Sequence, residues 1–126
     1  MTSAERLRVL VAGDDDGYWD DLCRTIPQAE VEIVGRARSA PEARALTEDL
    51  QPDVVLLDLE APGIGGPHAI GQVKAHPGAP ILVVLTSDDT PGARTASFAA
   101  GADGFVAKAR STEKLRALIS KIRPSL

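Results

Sequence analysis

One cysteine, Cys23, stands in a chain of 126 residues, so no intrachain disulfide can form, which fits a reducing compartment. Aromatic residues make up only 3% of the sequence, which leaves the core to aliphatic side chains. No apolar run approaches the length of a membrane span. The start, MTSAERLRVLV, lacks the apolar stretch and cleavage site of a secretion signal, and the expected location is cytoplasmic. No repeat or Pro/Gly-rich linker divides the chain, so it reads as one domain over residues 1–126 with a core at about 7–123. The two histidines, His68 and His76, have no zinc-type ligands clustered around them and read as surface residues. Base does not exceed acid: the formal net charge of −4 argues against nucleic acid as the main partner.

What is present alternates. Short apolar runs at Leu7–Ala12, Val31–Arg36, Pro52–Leu59, Pro80–Thr86 and Asp103–Lys108 read as strands. The third and fourth are continuous rather than alternating, as in strands covered on both faces. Helical patterns lie between them. Trp19, Leu22, Cys23 and Ile26 fall at i, i+3, i+4 and i+7, which places Cys23 in the core. Ser39 and Glu42 have capping-box spacing ahead of a stripe of Ala43, Leu46, Thr47 and Leu50. A short helix is expected from Pro67 to about His76. Thr90 and Pro91 suit the cap and first residue of another, which Gly92 weakens and Gly101 ends. Ser111 suits the cap of the last, with Leu115, Leu118, Ile119 and Ile122 inward and Pro124 as its stop. Five strands alternating with five helices predict a doubly wound α/β fold with helices on both faces of a parallel sheet.

Ligands in such folds bind at the carboxyl ends of the strands. The chemistry collects there: Asp14 to Asp16 after the first strand, Asp58 after the third, Thr86 after the fourth, Lys108 after the fifth. Carboxylates with a nearby hydroxyl and ammonium make a plausible site for Mg²⁺ and a phosphoryl group. The run VLVAGDDDGYW leaves its three aspartates open to different uses. Asp15 or Asp16 suits the cap of the first helix, and Asp15 also stands as a second metal candidate beside Asp14.

The segments RVLVAGDDD, PDVVLLDLEAPGIGG, ILVVLTS and GADGFVAK resemble the receiver domain of two-component response regulators, over about Arg8 to Ile122. The wording of EVEIVGRARSAPEA and GADGFVAKARSTEKL is most similar to regulators with a LuxR/NarL-type helix-turn-helix output. The resemblance implies a (βα)5 flavodoxin-like three-layer sandwich with strand order 2-1-3-4-5. It implies Asp58 as the acceptor of a phosphoryl group, given by a histidine kinase or a small donor such as acetyl phosphate. It implies Mg²⁺ held by Asp14, Asp58 and the backbone carbonyl of Glu60. Thr86 and Lys108 would contact the phosphoryl oxygens, and Thr86 and Phe105 would switch together. A homodimer would form through the fourth helix, fifth strand and fifth helix. Catalysis would be limited to self-phosphorylation and autodephosphorylation. A DNA-binding output domain is expected if the full protein continues, and no nucleic-acid binding by these residues themselves.

Three positions depart from the pattern. Gly13 stands where the first of two acids is usual, which predicts weakened Mg²⁺ binding. Ala109 follows Lys108 where proline is usual, so a cis Lys108–Ala109 bond would be costly. Ser87 follows Thr86 where alanine or glycine leaves the approach open, and a modest effect is expected. Two further function classes stand beside the phosphorylated switch. One is a pseudo-receiver that binds partners independently of phosphate, motivated by Gly13 and Ala109. The other is a small flavodoxin-like enzyme, disfavoured because acids rather than a phosphate-binding loop follow the first strand.

Overall fold

The computed structural model describes residues 6–25, 30–75, 78–88, 90–108, 113–115 and 117–118. Strands β1 (Leu7–Ala12), β2 (Val31–Ala37), β3 (Val54–Asp58), β4 (Ile81–Thr86) and β5 (Gly104–Ala107) alternate with helices α1 (Asp16–Thr25), α2 (Ala40–Leu50), α3 (His68–Lys74) and α4 (Pro91–Ala99). Residues 113–115 and 117–118 are helical, where the fifth helix is expected. Ile26, His76, Ala109, Ser111, Ile119, Ile122 and Pro124 lie outside the described residues, and with them the geometry of the Lys108–Ala109 bond. All strand pairs are parallel, in the order β2-β1-β3-β4-β5.

Strand alternation divides the core in two. Leu10, Val55, Leu57, Leu82 and Val84 face one side, packed with Ala43, Ile70 and Val73 from α2 and α3. Val9, Val11, Val54, Leu56, Val83 and Leu85 face the other, packed with Trp19, Leu22 and Leu115. The central strands β1, β3 and β4 are buried almost throughout, whereas β2, at an edge, is half-wet. That is why β2 reads as mixed and its neighbours as continuous apolar runs.

The caps follow the sequence with two adjustments. Thr90 accepts from the Ala93 N–H at 3.2 Å, with Pro91 opening α4. Ser39 accepts from the Glu42 N–H at 3.2 Å, but the Glu42 carboxylate reaches past Ser39 to the N–H of Arg38, at 2.7 Å. The short helix is trimmed to His68–Lys74, because Pro67 takes the cap position and Ala75 ends it. Cys23 is half-buried rather than in the core: its place on α1 brings it beside Arg36 of the edge strand. His68 is exposed.

The loop after β3 is pinned where α2 begins. The Gly63 carbonyl accepts from the Ala40 N–H at 3.1 Å, and a Cβ on Gly63 would stand 2.2 Å from the Arg38 carbonyl oxygen. Backbone cannot yield there as a flexible side chain could. Gly63→Ala is therefore expected to cost on the order of 1–3 kcal/mol, read as a lower urea midpoint with an unchanged slope. An unshifted midpoint would show that the loop moves freely.

Candidate functional site

The strand ends that carry Gly13, Asp58 and Lys108 share one parity. Gly13 continues Val9 and Val11, Asp58 continues Val54 and Leu56, and Lys108 continues Val106, all on the face covered by α1. Strand alternation thus brings the three positions to one face, with Trp19 against Gly13 and Lys108 beside Asp58. Thr86 continues the opposite parity, that of Leu82 and Val84, and its side chain meets Glu60.

Asp58 is 1% exposed. A buried carboxylate needs partners, since an unpaired charge is costly to desolvate. Its Oδ1 accepts from the Glu60 N–H at 3.0 Å, and its Oδ2 lies 2.8 Å from Lys108 Nζ. Lys108 also stands 3.9 Å from the Glu60 carboxylate and 5.0 Å from the centre of the Tyr18 ring, a cation–π contact. Burial works to lower the Lys108 pKa. Its hydrogen bond to Asp58 and the charges of Asp58, Glu60 and Asp15 outweigh this and raise it above the ordinary lysine value. The stabilising part of this pair is therefore complete below the ordinary lysine pKa and is lost as pH rises through the raised one.

A second contact crosses the site. The Ser87 hydroxyl donates to the Glu60 carboxylate, joining the loop after β4 to the loop after β3. This hydrogen bond lowers the Glu60 pKa; burial opposes it, and the Ser87 backbone, the Thr86 side chain and Lys108 add to the lowering. The Ser87 hydroxyl thus ties down an acid beside Asp58. Thr86 is buried, and its Oγ1 accepts from the Asp88 N–H at 3.0 Å. Phe105 is buried on β5 with the Arg94 guanidinium 5.4 Å from its ring centre; Arg94 lies 5.8 Å from the exposed ring of Phe98 as well.

The three aspartates separate. Asp15 caps α1: its Oδ1 accepts from the Tyr18 N–H at 3.0 Å. Asp16 pairs with Arg38 at 3.1 Å and Arg36 at 3.7 Å. Asp14 is exposed and makes no hydrogen bond or ion pair with the described residues. Asp14, Asp58 and the Glu60 carbonyl are hard oxygen donors of the kind Mg²⁺ takes with several retained waters. Among the described residues no three His, Cys, Asp or Glu side chains gather as a metal cluster.

Sequence reading missed three contributors. The Glu60 side chain was overlooked for its carbonyl. Helical spacing places Trp19 only on a buried stripe and gives Tyr18 no role, although two aromatics in so aromatic-poor a chain, close after the acidic run, are a usable signal.

The family described as response regulator receiver domain matches residues 9–120. The response regulator GacA of Pseudomonas viridiflava is 34% identical over 104 residues, covering 81% of this chain and 48% of that protein. GacA of Pseudomonas aeruginosa is 30% identical over 118 residues, covering 92% and 55%. The chain spans about half the length of these curated relatives. Among solved structures, a LuxR-family two-component response regulator from Aurantimonas sp. SI85-9A1 is 26% identical with a TM-score of 0.79, covering 94% of this chain and 88% of that one. A LuxR-family DNA-binding response regulator from Staphylococcus aureus shares the fold, with a TM-score of 0.81 at 24% identity, covering 94% and 99%. Among the described residues no helix is long and apolar enough to cross a membrane.

The Ser87–Glu60 hydrogen bond is a clasp between the two loops whose strength varies with pH. The Glu60 contribution is present above the ordinary glutamate pKa and is lost as pH falls through its lowered value. Ser87→Ala should move the Glu60 midpoint upward in a carboxyl-carbon NMR titration. The stability gap between Ser87→Ala and wild type should close on acidification. An unmoved midpoint would remove the clasp from the site.

Proposed function

This chain belongs to the response regulator receiver domain family of two-component systems, and on that premise we propose that Asp58 accepts a phosphoryl group and that its phosphorylation sets the state of a partner-binding face. The observation that carries this reading is the buried Asp58 carboxylate held against Lys108 at 2.8 Å. A carboxylate oxygen attacks phosphorus as the bond to the donor's nitrogen or oxygen breaks. The products are an aspartyl phosphate and the released imidazole or acetate. Lys108 shifts its donation from the Asp58 carboxylate to a phosphoryl oxygen, so its charge stays paired throughout. The Thr86 hydroxyl turns to donate to another oxygen, and Phe105, on the neighbouring strand, repacks with it.

Asp14, Asp58 and the Glu60 carbonyl are the residues that would hold Mg²⁺, which when bound supplies positive charge to offset that of the incoming phosphoryl oxygens. The lost carboxylate at Gly13 predicts weaker binding than a full acidic pair would give. Asp15, as a helix cap, is already committed. The donor is a histidine kinase. The responding face includes α4 and β5, where Phe98 is exposed and Arg94 lies beside both phenylalanines. A second copy docks there, and in the whole protein the output is transcriptional, as the LuxR-type relatives suggest. Catalysis extends only to taking up and losing the phosphoryl group.

A second reading, a phosphate-independent interaction module, is favoured by Gly13 and by the near-complete cover over Asp58. One experiment separates the two. Incubation with Mg²⁺ and acetyl phosphate, followed by intact mass, should show one added phosphoryl group that Asp58→Asn abolishes. Ser87→Ala should speed its appearance several-fold. No adduct from acetyl phosphate or from a cognate kinase would leave the second reading standing.

A further inference from the structure

Trp19 is wholly buried, yet its indole N–H has no acceptor among the described residues. Buried indole N–H groups usually find one. Its position explains why this one matters. A Cβ built on Gly13 would stand 2.9 Å from Asp58 Cβ, 3.0 Å from Trp19 Cζ2 and 3.2 Å from Trp19 Nε1. Cζ2 and Nε1 flank one edge of the indole, so the edge that carries the N–H is the one against Gly13, beside Asp58. Gly13 itself has φ +156°, a conformation that side chains rarely adopt.

We propose that Trp19 and Gly13 form a coupled pair within the phosphoryl site. The indole edge, together with Asp58 Cβ, occupies the volume that a side chain at position 13 would need, and the indole N–H donates to an oxygen of the group carried by Asp58. The chemistry of the pocket changes accordingly. A carboxylate at position 13 would draw a cation; an N–H donor draws an anionic oxygen and opposes a cation. With Lys108 and Thr86, Trp19 supplies a third donor to the phosphoryl group, from a third element. This rests on Asp58 being the phosphoacceptor.

The test uses two probes, Mg²⁺ and beryllofluoride at saturating Mg²⁺, each titrated by backbone NMR shifts, with thermal unfolding as a check on folding. Trp19→Phe keeps an aromatic ring and removes the N–H. It should weaken beryllofluoride by roughly tenfold, the scale of one lost hydrogen bond to a charged group, without weakening Mg²⁺. Gly13→Asp alone should be destabilised and bind Mg²⁺ no more tightly than wild type. Gly13→Asp with Trp19→Val should bind it more tightly than either. Unchanged beryllofluoride affinity in Trp19→Phe overturns the donor, and a tightened Mg²⁺ affinity in Gly13→Asp alone overturns the coupling. Should Gly13→Asp fail to fold, Trp19→Phe still decides. A wild type that binds no beryllofluoride overturns the phosphoacceptor reading itself, and the Mg²⁺ comparison still reads the coupling of positions 13 and 19.

Discussion

The arrangement depends on one electrostatic requirement: a carboxylate as buried as Asp58 has to be neutralised in place. Lys108 meets it across the sheet, from the end of β5. Almost every other feature of the site follows from keeping that ammonium where it is. Tyr18 lies under it, Glu60 stands beside it, and Ser87 fixes Glu60. The two are bound by charge, so a group that altered the charge at Asp58 would alter what Lys108 must neutralise. The two loops joined by Ser87 and Glu60 follow neighbouring strands, and the hydrogen bond ties one strand end to the next.

Much of this was readable from residue order. Continuous apolar runs marked β3 and β4 as central, and the strand ends supplied Asp58, Thr86 and Lys108 in one region. The caps at Ser39 and Thr90 were readable because a hydroxyl before a helix has a local job. Contacts made across the fold were not. Nothing local to Ser87 announces that its hydroxyl meets Glu60, 27 residues away in sequence. Cys23 fell on the right stripe of α1, but the stripe's width at an edge strand was set by β2, and a helical period does not see it.

The acidic run shows the same division. Repulsion among Asp14, Asp15 and Asp16 is relieved by giving two of them separate local partners: a helix N-terminus for Asp15, and arginines from β2 and its following loop for Asp16. Only Asp14 is left facing the solvent without a described partner. One cluster in sequence is three environments in space, and the charge that remains available is a third of what the letters suggest.

Gly13 makes this end of the sheet indivisible. With Trp19 in place, a side chain at position 13 meets both the indole and Asp58, so a carboxylate cannot be added there as a lone substitution. A change at that position carries its neighbours with it, because the indole edge and the Asp58 side chain must both give. The acidity of this strand end is therefore a property of three residues together, and a count of carboxylates along one strand does not measure it.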